Sequence, residues 1–83
     1  MKRIAANYLY INAKTLLKNG VVELDDKGVV QNFFSLDNLP VETSQTEFFN
    51  GTLMPKDKEE VRIGEKMEFY LIEYEYNANH GLS

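Results

Sequence analysis

Along most of this chain apolar and polar positions alternate with a period of two, the pattern of half-buried β-strands rather than of helices. Arg3 to Ile11 sets Ile4, Ala6, Tyr8 and Tyr10 on one face and Ala5, Asn7, Leu9 and Ile11 on the other. A strand so nearly apolar on both sides belongs in the centre of a sheet or under good cover. Asn12 to Gly20 offers only Leu16 and Leu17 between Lys14 and Lys18, enough for one helical turn and too short for a stable helix, and reads as a connection. Asn19-Gly20 then opens Val21 to Leu24, and Asp25-Asp26-Lys27-Gly28 leads into Val29 to Phe34. Two β-rich runs joined by a short Asp/Gly loop predict a hairpin, because Gly28 can take the positive φ that tight loops require.

Ser35 to Gln45 is polar around Pro40 and reads as a loop with a short turn at Leu36 to Leu39. Thr46 to Phe49 and Thr52 to Met54 are short extended pieces flanking Asn50-Gly51, and Pro55 ends them. Lys56 to Glu60 is a charged, solvated connector that Val61 to Ile63 extends, and Gly64-Glu65 turns the chain. Lys66 to Tyr76 is the longest strand predicted, with Tyr70, Ile72, Tyr74 and Tyr76 on one face and Met67, Phe69 and Leu71 on the other, ahead of Glu73 and Glu75. Its first half is expected to be buried on both sides and its second half on one. Asn77 to Ser83 reads as a frayed tail. The expectation is an all-β protein: a small β-sandwich or partly open barrel of six to seven short strands, with Arg3–Ile11, Gly20–Leu24, Val29–Leu36 and Lys66–Tyr76 as the main ones.

With 83 residues the chain is at most one small domain, taken here as 1–83. Size scaling gives roughly 8,800 Å² buried on folding. Its apolar share contributes about 130 kcal/mol, against about 125 kcal/mol to order the chain. The balance is thin, and with no Cys there is no disulfide or thiolate metal site to reinforce it, so association is a natural source of further stability. Nine Lys plus Arg against 13 Asp plus Glu give a net charge of −4, which argues against a nucleic-acid backbone or an anionic membrane as partner. No run approaches the 18 or more apolar residues of a membrane span. The basic start Met1-Lys2-Arg3 resembles a secretory n-region, but Asn7 and Asn12 interrupt the apolar stretch that should follow, so a cytoplasmic protein is expected.

Candidate chemistry is sparse. A zinc site needs several converging ligands, and the chain has no Cys and a single His, His80, in the tail. No Gly-x-Ser-x-Gly turn is present, and the five Gly are dispersed rather than gathered in a phosphate loop. The paired carboxylates Asp25-Asp26 and Glu59-Glu60 lie in a hairpin turn and a charged connector, where nothing raises a pKa or excludes water. No catalytic residue, cofactor or metal is expected, and the protein is not read as an enzyme. The tyrosine stripe at Tyr70, Tyr74 and Tyr76 could line a groove or stack bases, but Glu68, Glu73 and Glu75 beside it would repel a phosphate backbone. Tyr suits a surface buried in a partner while its hydroxyl stays wet, so Tyr70, Ile72, Tyr74 and Tyr76 form the candidate interface.

Residues 2–55 carry a resemblance. Ile4 to Tyr10, then Asn19-Gly20-Val21-Val22, the Asp26-Lys27-Gly28 turn and Asn50-Gly51-Thr52-Leu53-Met54-Pro55 look like the amino-terminal β segment of amidohydrolase-superfamily enzymes, the group of cytosine deaminases and chlorohydrolases. That family continues into a metal-binding His-x-His and a (β/α)₈ barrel, whereas here Lys56-Asp57-Lys58 follows Pro55 and no His-x-His occurs. Residues 61–76 are similar to the carboxy-terminal stretch that completes the same small β domain, with Met67-Glu68 where Ala-Asp is usual. The resemblance implies a discontinuous β-sandwich joined across Lys56 to Glu60 without its barrel. It carries over a fold and no activity.

Two functional classes follow. The first is a non-catalytic structural or protein-interaction module, a homodimer or other homo-oligomer or the companion of a protein partner, with exposed strand edges and an apolar face as its means of contact. The alternative is a small-ligand-binding or regulatory domain, with a Phe- and Tyr-lined pocket between sheets, acting with a separate barrel-bearing hydrolase; the sequence identifies no small-molecule ligand.

Overall fold

The computed structural model describes residues 1–38 and 46–74, and within them the chain is all-β. Five strands, β1 (Lys2–Asn12), β2 (Thr15–Leu24), β3 (Val30–Ser35), β4 (Thr46–Pro55) and β5 (Phe69–Glu73), form one mixed sheet in the order β3-β2-β1-β4-β5. Only β1 and β4 pair in parallel; the other three pairings are antiparallel. The two-sided apolar strand expected at the centre is there as β1, but its faces differ from strict alternation: Ile4 and Ala6 share the core face with Leu9 and Ile11, and Tyr8 and Tyr10 lie opposite, because the strand changes face between Ala6 and Tyr8. The sheet does not close, so β3 and β5 are its edges. Five strands in one open sheet replace the six to seven expected in a sandwich or barrel.

Three local rules account for the difference. Asn12 accepts the Lys14 N–H on its Oδ1 (2.8 Å) and turns β1 directly into β2. The stretch read as a connection, Asn12 to Gly20, is therefore mostly strand, with Leu16 opposite Tyr10 and Leu17 opposite Leu9. Neither Asn-Gly pair ends a strand. Asn19 takes a left-handed φ of 52° inside β2, and Leu17 and Val22, five residues apart, both pack on the core, so the strand changes the face it presents at that point. Asn50-Gly51 makes a bulge inside β4, where Ala6 faces Phe49 but Tyr8 faces Thr52. The Asn7 side chain supplies the missing acceptor there, taking the Gly51 N–H at 2.7 Å. One β4 thus replaces two short pieces. The hairpin at Asp25 to Gly28 forms as expected: the Gly28 N–H donates to the Asp25 carbonyl (3.0 Å), and Gly28 has φ 85°.

The third correction concerns Lys66–Tyr76, expected as the longest strand and observed as the shorter β5. Val61 to Met67 is tied to the far side of the molecule instead. Val61 donates to the Ile11 carbonyl (2.8 Å), Val30 to Glu65 (2.9 Å), Gly64 to Val30 (2.8 Å) and Met67 to Gly28 (3.0 Å). These bonds draw the segment across one face of the sheet, where Val61 and Met67 are buried with Ile4, Ala6, Leu9, Ile11, Val22, Leu24, Val30 and Leu53. This irregular segment is the second layer of the fold. Burying each of its two large apolar side chains contributes about 2 kcal/mol. Leu36–Asn38 forms one 3-10 turn held by Ser35, whose Oγ donates to the Lys18 carbonyl (2.6 Å) and accepts the Asp37 N–H (3.1 Å). The loop expected over Leu39 to Gln45, Glu75 and Tyr76, and the tail from Asn77, lie outside the described residues.

Candidate interaction surface

The sheet has two unlike faces. The inner one is covered by Val61 and Met67; the outer one has no second layer among the described residues. Register places the outer side chains. Phe34, Val21, Ala5 and Phe48 make one row; Lys18, Tyr8, Thr52 and Ile72 a second; Leu16 and Tyr10, with Met54 and Tyr70, run along a third. Ala5 and Val21 are fully buried, sheltered by larger neighbours, of which Phe34, Tyr8, Tyr10 and Met54 are half-buried and Phe48 stands in solvent. Leu16 (53%), Phe48 (49%), Tyr70 (47%), Ile72 (50%) and Tyr74 (45%) are among the most exposed large apolar side chains described. At about 100 Å² each, half of what such side chains bury, they expose roughly 500 Å², near the top of what a monomer carries in one patch. Charge lies at the margins of this face: Arg3 Nε donates to Glu23 Oε2 at 2.5 Å, Lys18 lies beside Tyr8, and Lys56, Asp57, Lys58 and Glu59 share a hollow with Tyr10, Met54 and Tyr70.

Of the four residues expected to form an interface, Tyr70, Ile72 and Tyr74 stand on this exposed face, and Tyr76 lies outside the described residues. The expectation that the first half of their strand is buried on both sides is corrected: Met67 is buried and Phe69 half-buried, but Tyr70 is open. Sequence reasoning missed Leu16, Phe48, Tyr10 and Met54. The signal for Leu16 was its alternation with Leu17, legible only once Asn12 is seen to turn the chain.

The charged groups bind locally. Asp25 Oδ1 accepts the N–H groups of Lys27 (2.8 Å) and Val29 (2.9 Å). These bonds, that from Val29 first, hold its carboxyl below the usual range, the opposite of what a general acid needs. Glu60 accepts from Arg62 Nε at 2.6 Å, which with the charge of Glu65 raises the guanidinium pKa further. Among the described residues no three His, Cys, Asp or Glu side chains gather as a metal site, and His80 lies outside them. A small hollow of about 220 Å³ on the inner face is lined by Ile4, Phe49, Leu53, Phe69 and Leu71, and the larger ones are open and rim-sited. One of about 680 Å³ is lined by residues 12–15 and by Lys58, Glu59, Glu60, Arg62 and Glu65. Another, of about 610 Å³, brings Phe69 and Tyr70 beside Lys2, Ile4 and Lys56. With a single sheet among the described residues, neither is a pocket between sheets.

Compared with protein-family models, curated proteins and solved structures, the chain matches none.

Proposed function

We propose that this protein is a non-catalytic interaction module that works as a homo-oligomer, using the outer face and the β5 side of its sheet as the contact surface. The observation that carries this reading is the gathering of Leu16, Phe48, Tyr70, Ile72 and Tyr74 on one face that no second layer covers among the described residues, with its charged side chains at the margins. A chain of this size has little stability in reserve, and covering such a patch adds to it. The derivation from an amidohydrolase β domain is part of the proposal and rests on the motif residues alone. Under it, the apolar surface is what a lost neighbouring layer would leave behind.

The test is sedimentation of the wild type and of Ile72→Glu at about 100 μM, with a thermal melt of each. The wild type is expected to be dimeric. The half-exposed Ile72 side chain makes the variant monomeric while its folding stability stays within about 0.5 kcal/mol of wild type. A wild type that is strictly monomeric at that concentration refutes the reading.

A further inference from the structure

We infer that the outer edge of β5 pairs with the same edge of a second copy, antiparallel, with Leu71 on the two-fold axis. The inference rests on the reading of the protein as a self-associating module and specifies how two copies meet.

β5 is the last strand of the sheet, and among the described residues nothing pairs with its outer side. The bonds from Lys56 N–H to the Glu68 carbonyl (2.8 Å) and from Tyr74 N–H to the Asn50 carbonyl (3.4 Å) fix its phase. Between them Tyr70 faces Met54 and Ile72 faces Thr52. In an antiparallel ladder bonded residues alternate, so Tyr70 and Ile72 turn their backbone groups to β4, and Phe69, Leu71 and Glu73 turn theirs outward. The run Phe69-Tyr70-Leu71-Ile72 contains no charge, Pro or Gly. Those are the devices that keep an edge from pairing.

The occupant follows from the register. With Leu71 on the axis, Leu71 bonds Leu71 of the other copy and Phe69 bonds Glu73, so every outward N–H and C=O of β5 finds a partner. Tyr70 then lies beside Ile72 of the other copy on the outer face, an aromatic and β-branched pair of the favoured kind. Centring on Phe69 would call on the backbone of Met67 and Glu65, already bonded to Gly28 and Val30. Centring on Glu73 would oppose two carboxylates, and centring on Tyr70 or Ile72 leaves outward groups of the strand without a partner in β5. The matching strand is a second β5, and the two outer faces then lie side by side as one surface.

Because the wild type has no Cys, cysteine pairing reads the register without background. Tyr70→Cys and Ile72→Cys both alter exposed side chains. Across a non-bonded pair the Cα atoms lie about 4.5 Å apart, within disulfide reach, whereas residue 70 is roughly 8 Å from residue 70 of the other copy, out of reach. An equimolar mixture of the two variants, oxidised at about 50 μM, is expected to give the mixed disulfide at least tenfold above either homodimer. Predominance of the Ile72→Cys or Tyr70→Cys homodimer overturns the register. A wild type that sediments as a dimer while the mixture fails to cross-link overturns edge pairing and leaves contact through the face; a wild type that stays monomeric overturns both readings.

Discussion

The two edges of this sheet are treated in opposite ways. At β3 the chain closes its own edge: Val30 is bonded on both backbone groups by Gly64 and Glu65, Gln31 Nε2 reaches the Val29 carbonyl (3.3 Å), and Asn32 Oδ1 takes the Phe33 N–H (2.9 Å). At β5 the strand is apolar from Phe69 to Ile72, ahead of the exposed Glu73, and none of these devices is present. The same polypeptide segment explains both. Residues 61–67 are spent on β3 and the inner face, so the strand that follows them reaches the opposite edge with no chain among the described residues to cover it. Protection of one edge leaves the other available, and it is this available edge beside an uncovered face that the proposed self-association uses.

The comparison breaks most severely at Gly51. A Cβ there would sit 2.3 Å from the Ile72 carbonyl oxygen, at a φ of 152° that other residues rarely adopt. Gly51→Ala is expected to prise β5 from β4 and lower stability by about 3 kcal/mol, read as a fall in thermal midpoint, with association lost as well. Gly20→Ala strikes the guarded half. Its Cβ would meet Leu9 Cβ at 2.4 Å, an atom fixed to the β1 backbone, so only a shift of the strands relieves the contact. The expected loss is about 2 kcal/mol by the same melt, with association preserved once the variant is folded. An equal effect of both variants on association would erase the distinction between the edges.

The smallest effect is at the hairpin that leads into β3. The Asp25 carboxyl titrates lower in the folded than in the unfolded chain, so its contribution is present above the unfolded value, about 3.9, and is lost as pH falls through the lower folded value. Denaturant melts from pH 5 to pH 3 should therefore show the wild type losing more stability than Asp25→Asn. Parallel acid profiles would remove the role assigned to these two backbone bonds.

Much of the fold was legible in the sequence. The all-β class, the central place of β1 and the Asp25–Gly28 hairpin follow from local patterning and turn chemistry, but alternation misassigned the faces of β1, which turns over between Ala6 and Tyr8. The two Asn-Gly pairs misled for a physical reason: the same freedom of backbone serves a turn or a bulge, and only the neighbouring strand decides. At Gly51 that neighbour is Asn7, 44 residues away, whose amide completes the bulge. Lys66 and Met67 continue the alternation of the strand that follows, yet their backbone is claimed by Val29 and Gly28 across the molecule. Tyr70, Ile72 and Tyr74 were legible as a stripe because they share one strand direction. Leu16 and Phe48 join them only through register across β1 and β4, which no local pattern displays.

Hydrogen exchange of the wild type at about 1 μM and about 100 μM distinguishes a β5 edge that pairs from one that stays free. The account predicts that exchange in the segment Phe69 to Glu73 slows at the higher concentration, because pairing protects the outward N–H groups, while Val30 to Phe34 exchanges equally at both. Identical exchange of the β5 segment at the two concentrations, or protection rising at β3 instead, would contradict it.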